Sequence, residues 1–218
     1  MLYRRILLIA ISLLLFGCAN FSSQGEVLAN QEYLPLPTPA NNLPDLIKGL
    51  SSTSDAVRIV SAGALQYYGK DAIVAVPALI DNLHARNYEV QISAAVALGL
   101  LGPSAKDAVQ DLIPLLEPTN THQLRTSVAD ALGKIRDPLA VPYLAKFLYE
   151  DNSFLTGRIS NAIGNIVHVD FAELNEPGFT LNDQGVPLIV VDARAWWENV
   201  GRYQDWAKES ELEITPEW

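Results

Sequence analysis

The feature that most constrains this chain is that it repeats itself. Val57-Arg58 returns as Val90-Gln91 and again as Leu124-Arg125. Ala64-Leu65 returns as Ala97-Leu98, Ala131-Leu132 and Ala162-Ile163. Gly69 returns as Gly102, and Leu50, Leu83, Leu116 and Leu148 close successive units. Val76-Pro77-Ala78-Leu79 has counterparts in Leu43-Pro44-Asp45-Leu46, Val109-Gln110-Asp111-Leu112 and Val141-Pro142-Tyr143-Leu144. The period is 31 to 34 residues. A unit that short cannot bury its own apolar face, so it must stack on its neighbours.

Each unit reads as two helices. The first is rich in small residues (Ala62 and Ala64; Ala94, Ala95 and Ala97; Ala129 and Ala131), which let helices approach closely. Gly69 and Gly102 stand where a left-handed cap would end it. The second helix carries proline in its first turn at Pro77 and Pro142, where a missing N–H costs least. Pro114 lies deeper and predicts a bend. Ser54 or Asp55, and Thr121, are suited to capping helix N-termini.

Val-Arg, then Ala-x-Ala-Leu-Gly, then Val-Pro-x-Leu and a closing Leu resembles the short bacterial HEAT repeats grouped with phycobilisome-lyase-like HEAT proteins. The resemblance runs from Leu43 to about Val167. It implies an all-α fold, a short right-handed α-solenoid of HEAT-like helix pairs. It also implies that Arg58 and Arg125 pair with neighbouring acids, with Gln91 interrupting the series.

Four segments follow: a signal peptide at 1–17, a lipidated N-terminus and tether at 18–42, the repeats at 43–168, and an extended loop with a capping helix at 169–218. Met1 to Arg5 is short and basic, and Ile6 to Phe16 is apolar apart from Ser12. That run is too short for a stable bilayer span but suits a signal-peptide core. It ends in Leu15-Phe16-Gly17-Cys18, which looks like a lipobox, and Cys18 is the chain's one cysteine. A lipidated Cys18 places the domain on an extracytoplasmic face of the inner or outer membrane. Ala19 to Asn42, with Pro35, Pro37 and Pro39, reads as a flexible tether.

At the other end, a helix is predicted from about Asp192 to Lys208, a tryptophan-rich C-terminal cap for the stack. Trp196, Val200, Tyr203 and Trp206 form its expected buried stripe. Trp197 points roughly 100° away from that stripe, where its ring could serve a ligand or partner.

Composition narrows the function classes. Net charge is -10, and loss of 1–17 removes Arg4 and Arg5, leaving 13 basic against 25 acidic residues. Such acidity repels phosphate backbones, so no nucleic-acid partner is expected. His84, His122 and His168 have no metal-ligand spacing, and no metal or cofactor is expected. Glu117, Glu150-Asp151 and Asp205 with Glu209 read as solvated surface rather than acid–base pairs. Nucleophile elbows and phosphate loops do not occur, and no enzyme activity is expected.

The expectation is a monomeric scaffold or adaptor for a protein partner. The second helices are expected to face a concave surface. They would offer a column of Ala78, Asp111 and Tyr143 and a second of Asp81, Pro114 and Lys146. The candidate contacts are therefore Asp81, Asp111, Tyr143, Lys146 and Trp197. Two alternatives stand beside this reading: bilin lyase-like or phycobiliprotein-associated activity, implied by the resemblance, and cell-wall or glycan binding through the terminal tryptophans.

Overall fold

The computed structural model describes residues 42–169, 171 and 188–204. Cys18, the signal peptide, the tether before residue 42, most of the 169–191 loop and the expected stripe residue Trp206 lie outside these. Among the described residues every regular element is helical.

Local signals set the helix ends. α1 (Leu43–Leu50) opens on Asn42, whose side chain accepts the Asp45 N–H at 3.1 Å. α2 (Asp55–Ala64) follows. Ser54 occupies its cap position without a side-chain capping bond, and Asp55 instead accepts from Arg58 and from Asn87. A 3₁₀ stretch, Leu65–Ala75, turns at Gly69 and leads into α3 (Val76–Leu83), with Pro77 in its first turn. α4 (Tyr88–Leu101) is capped by Asn87, which accepts the Glu89 N–H at 2.9 Å. After Gly102 come 3₁₀ turns and α5 (Val109–Leu112), which tightens to 3₁₀ geometry over Ile113–Leu116 at Pro114. α6 (His122–Ile135) is capped as expected by Thr121, which accepts the Leu124 N–H. α7 (Val141–Lys146) ends the third unit, and α8 (Ser153–Val167, capped by Asn152) opens the fourth. α9 (Leu188–Asn199) and a 3₁₀ turn at Gly201–Tyr203 end the described chain.

The helices form two layers of a short α-solenoid. α2, α4, α6 and α8 stack in one, and α1, α3, α5 and α7 lie behind them. The repeating columns of the sequence are the core between the layers: Leu46, Leu79, Leu112 and Leu144 are fully buried, as are Leu98, Leu132 and Ile163. Small residues hold the first layer tight. A β-carbon on Gly99 would lie 2.9 Å from the Ala131 Cα, and one on Gly133 would lie 2.7 Å from the Ala162 Cα. Neighbours in the second layer touch far less.

Tyr88–Leu116 is apolar and long enough, by composition, to cross a membrane. It is instead broken at Gly102, and Ala94, Leu98, Val109, Leu112 and Leu116 pack inside the stack.

A second regularity joins the units. The last carbonyl of each closing segment accepts a side-chain N–H. Leu50 receives Asn82 at 3.1 Å, Leu83 receives Gln91 at 2.9 Å, Leu116 receives Arg125 at 2.5 Å and Leu148 receives Arg194 at 2.8 Å. These carbonyls are the ones a helix cannot satisfy from within itself. Arg125 also pairs with Glu150, and Arg58 with Asp55. Gln91 is neutral but keeps the carbonyl bond, so the series loses a charge there without losing the cap.

Candidate interaction surface

Surface position follows from helix phase. On the alanine-rich layer two surface columns run across the units: Gly63, Val96, the partly exposed Asp130 and Asn161, and beside it Tyr67, Leu100, Lys134 and Asn165. Both change character halfway. In the first two units they are apolar, with Tyr67 67%, Val96 43% and Leu100 52% exposed. In the last two they are polar, and Arg158 of α8 bridges to Asp130 of α6 at 3.1 Å. Exposed large apolar side chains at neighbouring positions are unusual on a charge-balanced surface. Along the sequence they are masked, because the core columns of the same helices share their apolar composition.

The columns expected on the second layer are more engaged. Asp81 is exposed. Asp111 is partly exposed and bonds His84 Nε2 at 3.0 Å. Lys146 is exposed, bonds Glu117 at 3.0 Å and lies over the Phe147 ring at 5.2 Å. Tyr143 is partly buried. Asp111 and Lys146 thus tie each helix to the one before it. Asp81 and Tyr143 make no side-chain hydrogen bond or ion pair among the described residues.

Trp197 is a correction. Its ring is 2% exposed and belongs to the core with Phe171 and Ala193, so it offers no platform. Trp196, expected inside, is partly exposed and meets Phe171 edge-on at 6.1 Å. The expected stripe is not the buried face of the described helix, which stops at Asn199. Val200 lies beyond it and is 43% exposed. The buried face is Val190, Ala193 and Trp197 instead. Gly201 seats the two tryptophan rings, since a β-carbon there would stand 2.5 Å from Trp196 and 2.7 Å from Trp197.

Polar contacts fix α9 on its other side. Tyr149 Oη donates to Glu198 at 2.8 Å, Arg202 pairs with Glu198 at 2.7 Å, and Arg194 stacks over Tyr149 at 4.9 Å. Burial first, and then the bond to Glu198, pushes the Tyr149 phenol from its ordinary 10.0 up to about 12. Burial lowers the Arg194 pKa. Among the described residues no group of three or more His, Cys, Asp or Glu could hold a metal ion.

Fold and surface together define an α-solenoid, a scaffold architecture in which stacked helix pairs present ribs of side chains. Residues 76–162, from α3 into α8, match the family model for HEAT repeats. Two solved structures share the fold, both described as engineered proteins from the Northeast Structural Genomics Consortium. The first has a TM-score of 0.51 at 22% identity, covering 76% of this chain and 74% of its own. The second has a TM-score of 0.51 at 21% identity, covering 71% of this chain and 51% of its own. No curated protein matches the chain.

Proposed function

We propose that the chain is a membrane-anchored scaffold that binds a protein partner on the extracytoplasmic side. The apolar half of the alanine-rich face, Tyr67, Val96 and Leu100, is the observation that carries this reading. Rigid apolar side chains held in register by a solenoid suit a partner that contributes its own apolar anchors. The lipobox-like Cys18 and the proline-bearing tether supply the anchor and the reach. A fully extended tether spans roughly 80 Å, and a flexible one averages about 27 Å.

In vivo photocrosslinking tests it. A photoreactive residue at position 100 or 67 of the full chain is expected to give a discrete protein adduct, and one at Asn165 none. Leu100→Glu should abolish the position-67 adduct, and Cys18→Ser should release the chain from the membrane fraction. Absence of any adduct at 67 and 100 removes the proposed face, and a Cys18→Ser chain that stays with the membrane removes the anchor.

A further inference from the structure

The end of α6 and the exposed side of α8 border an open cleft of about 500 Å³, within the range of small-ligand sites. Arg136, Asn161, Asn165 and His168 supply its polar lining, over Val169 and Phe171. None of these four side chains makes a hydrogen bond or ion pair among the described residues. That sets the two asparagines apart. Asn42, Asn82, Asn87, Asn120, Asn152 and Asn199 all use their carboxamides on backbone or side-chain partners. Asn161 and Asn165 lie one turn apart on α8 and present theirs to the cleft.

Backbone conformation singles out the other two. Arg136 (φ 61°) and His168 (φ 59°) are the non-glycine residues with positive φ among the described residues. Gly69 and Gly102 also take positive φ, but with ψ of -124° and -139°, a region open to glycine alone. Arg136 and His168 are instead left-handed C-caps, with ψ of 35° and 36°, a conformation that costs a side chain with a β-carbon more than it costs glycine. Both of those side chains enter the same cleft. A cation near a helix C-terminus has a local explanation in the helix dipole. That explanation does not account for two free carboxamides beside it. Both residues cap their helix ends through the backbone, which leaves their side chains free to serve the cleft.

The geometry points to a binding site for a small oxyanion-bearing ligand. The carboxylate or phosphate would lie against Arg136 and His168, and hydroxyl or amide groups attached to it would bond Asn161 and Asn165. A guanidinium supplies charge-assisted bonds to an oxyanion, and carboxamides both donate and accept. The site lies at the polar end of the columns that begin at Gly63 and Tyr67, shares no residue with their apolar half, and does not depend on the scaffold reading.

Isotope-labelled full-length chain, titrated with glucuronate, inorganic phosphate and neutral glucose, tests the site by amide chemical shifts. Glucuronate is expected to move the Asn161 and Asn165 side-chain signals and the backbone of 164–168 saturably. Phosphate should move the Arg136 and His168 signals, and glucose should move none. Arg136→Gly is the decisive variant, because glycine suits φ 61° and keeps the helix end intact. It should weaken both anions by roughly tenfold or more while thermal stability holds or rises. Asn161→Ala should weaken glucuronate and leave phosphate unchanged. No saturable shift with either anion, or an affinity unchanged in Arg136→Gly, overturns the site. Equal shifts with glucose overturn its oxyanion selectivity.

Discussion

Tyr149 shows what one side chain does at the last junction. Its hydroxyl donates to Glu198, its ring carries Arg194, and Arg194 caps the Leu148 carbonyl. Because the folded pKa of about 12 exceeds the ordinary 10.0, folding favours the neutral phenol. That contribution is complete below pH 10 and is lost as pH rises through 12. Partial exposure discounts it to about 1 kcal/mol. Denaturation midpoints should fall between pH 10 and 12, and Tyr149→Phe should flatten that part of the profile. An identical fall in the variant would assign it to other groups. At this scale the sequence was partly readable. Thr121 was legible as a cap because its bond spans only three residues. The asparagine caps at Asn42, Asn87 and Asn152 follow the same chemistry and were equally available. Arg125 was legible as an acid's partner. Its bond to Leu116 was not, nor was the shared role that makes Gln91 an adequate substitute.

Glycine has opposite meanings in two neighbouring helices. Gly157 lies inside α8, and a methyl group there would meet nothing within 4 Å. Gly157→Ala therefore gains helix propensity, about 1 kcal/mol, at no steric cost. Gly133 lies inside α6, where a β-carbon would stand 2.7 Å from the Ala162 Cα. The obstacle there is backbone, which cannot rotate away. Gly133→Ala would gain the same propensity but force α6 and α8 apart, a cost of roughly 1–3 kcal/mol. Urea denaturation should therefore show Gly157→Ala stabilised and Gly133→Ala destabilised. The same sign for both would mean that the layer is not held by close approach. Helix identity and order were legible from the periodic columns, whereas the length of α9 was not. Its stripe was read from Trp196, Val200, Tyr203 and Trp206, and of these only Trp196 lies within Leu188–Asn199.

A solenoid couples each unit only to its neighbours, so damage at one end should stay there. Trp197 closes the stack against α8 with a ring that is 2% exposed. Trp197→Ala is expected to cost about 3–5 kcal/mol locally. Hydrogen exchange should show fast amides in α9 and the outer turns of α8. The amides of Ala94 to Leu98, two repeats away, should keep their protection. Uniform loss along the chain would show a single cooperative unit instead.

The sequence by itself determined the repeat, the helix pairs and the leucine and alanine columns of the core. Those are encoded by periods and caps that act within a few residues or recur in every unit. Only the tertiary structure decided which tryptophan is buried, which layer is the tighter, and that Asp111 and Lys146 tie helices together. It alone brought Arg136 beside Asn161, Asn165 and His168. Such outcomes depend on helix phase and spacing set by neighbours some thirty residues away, and no local pattern records them.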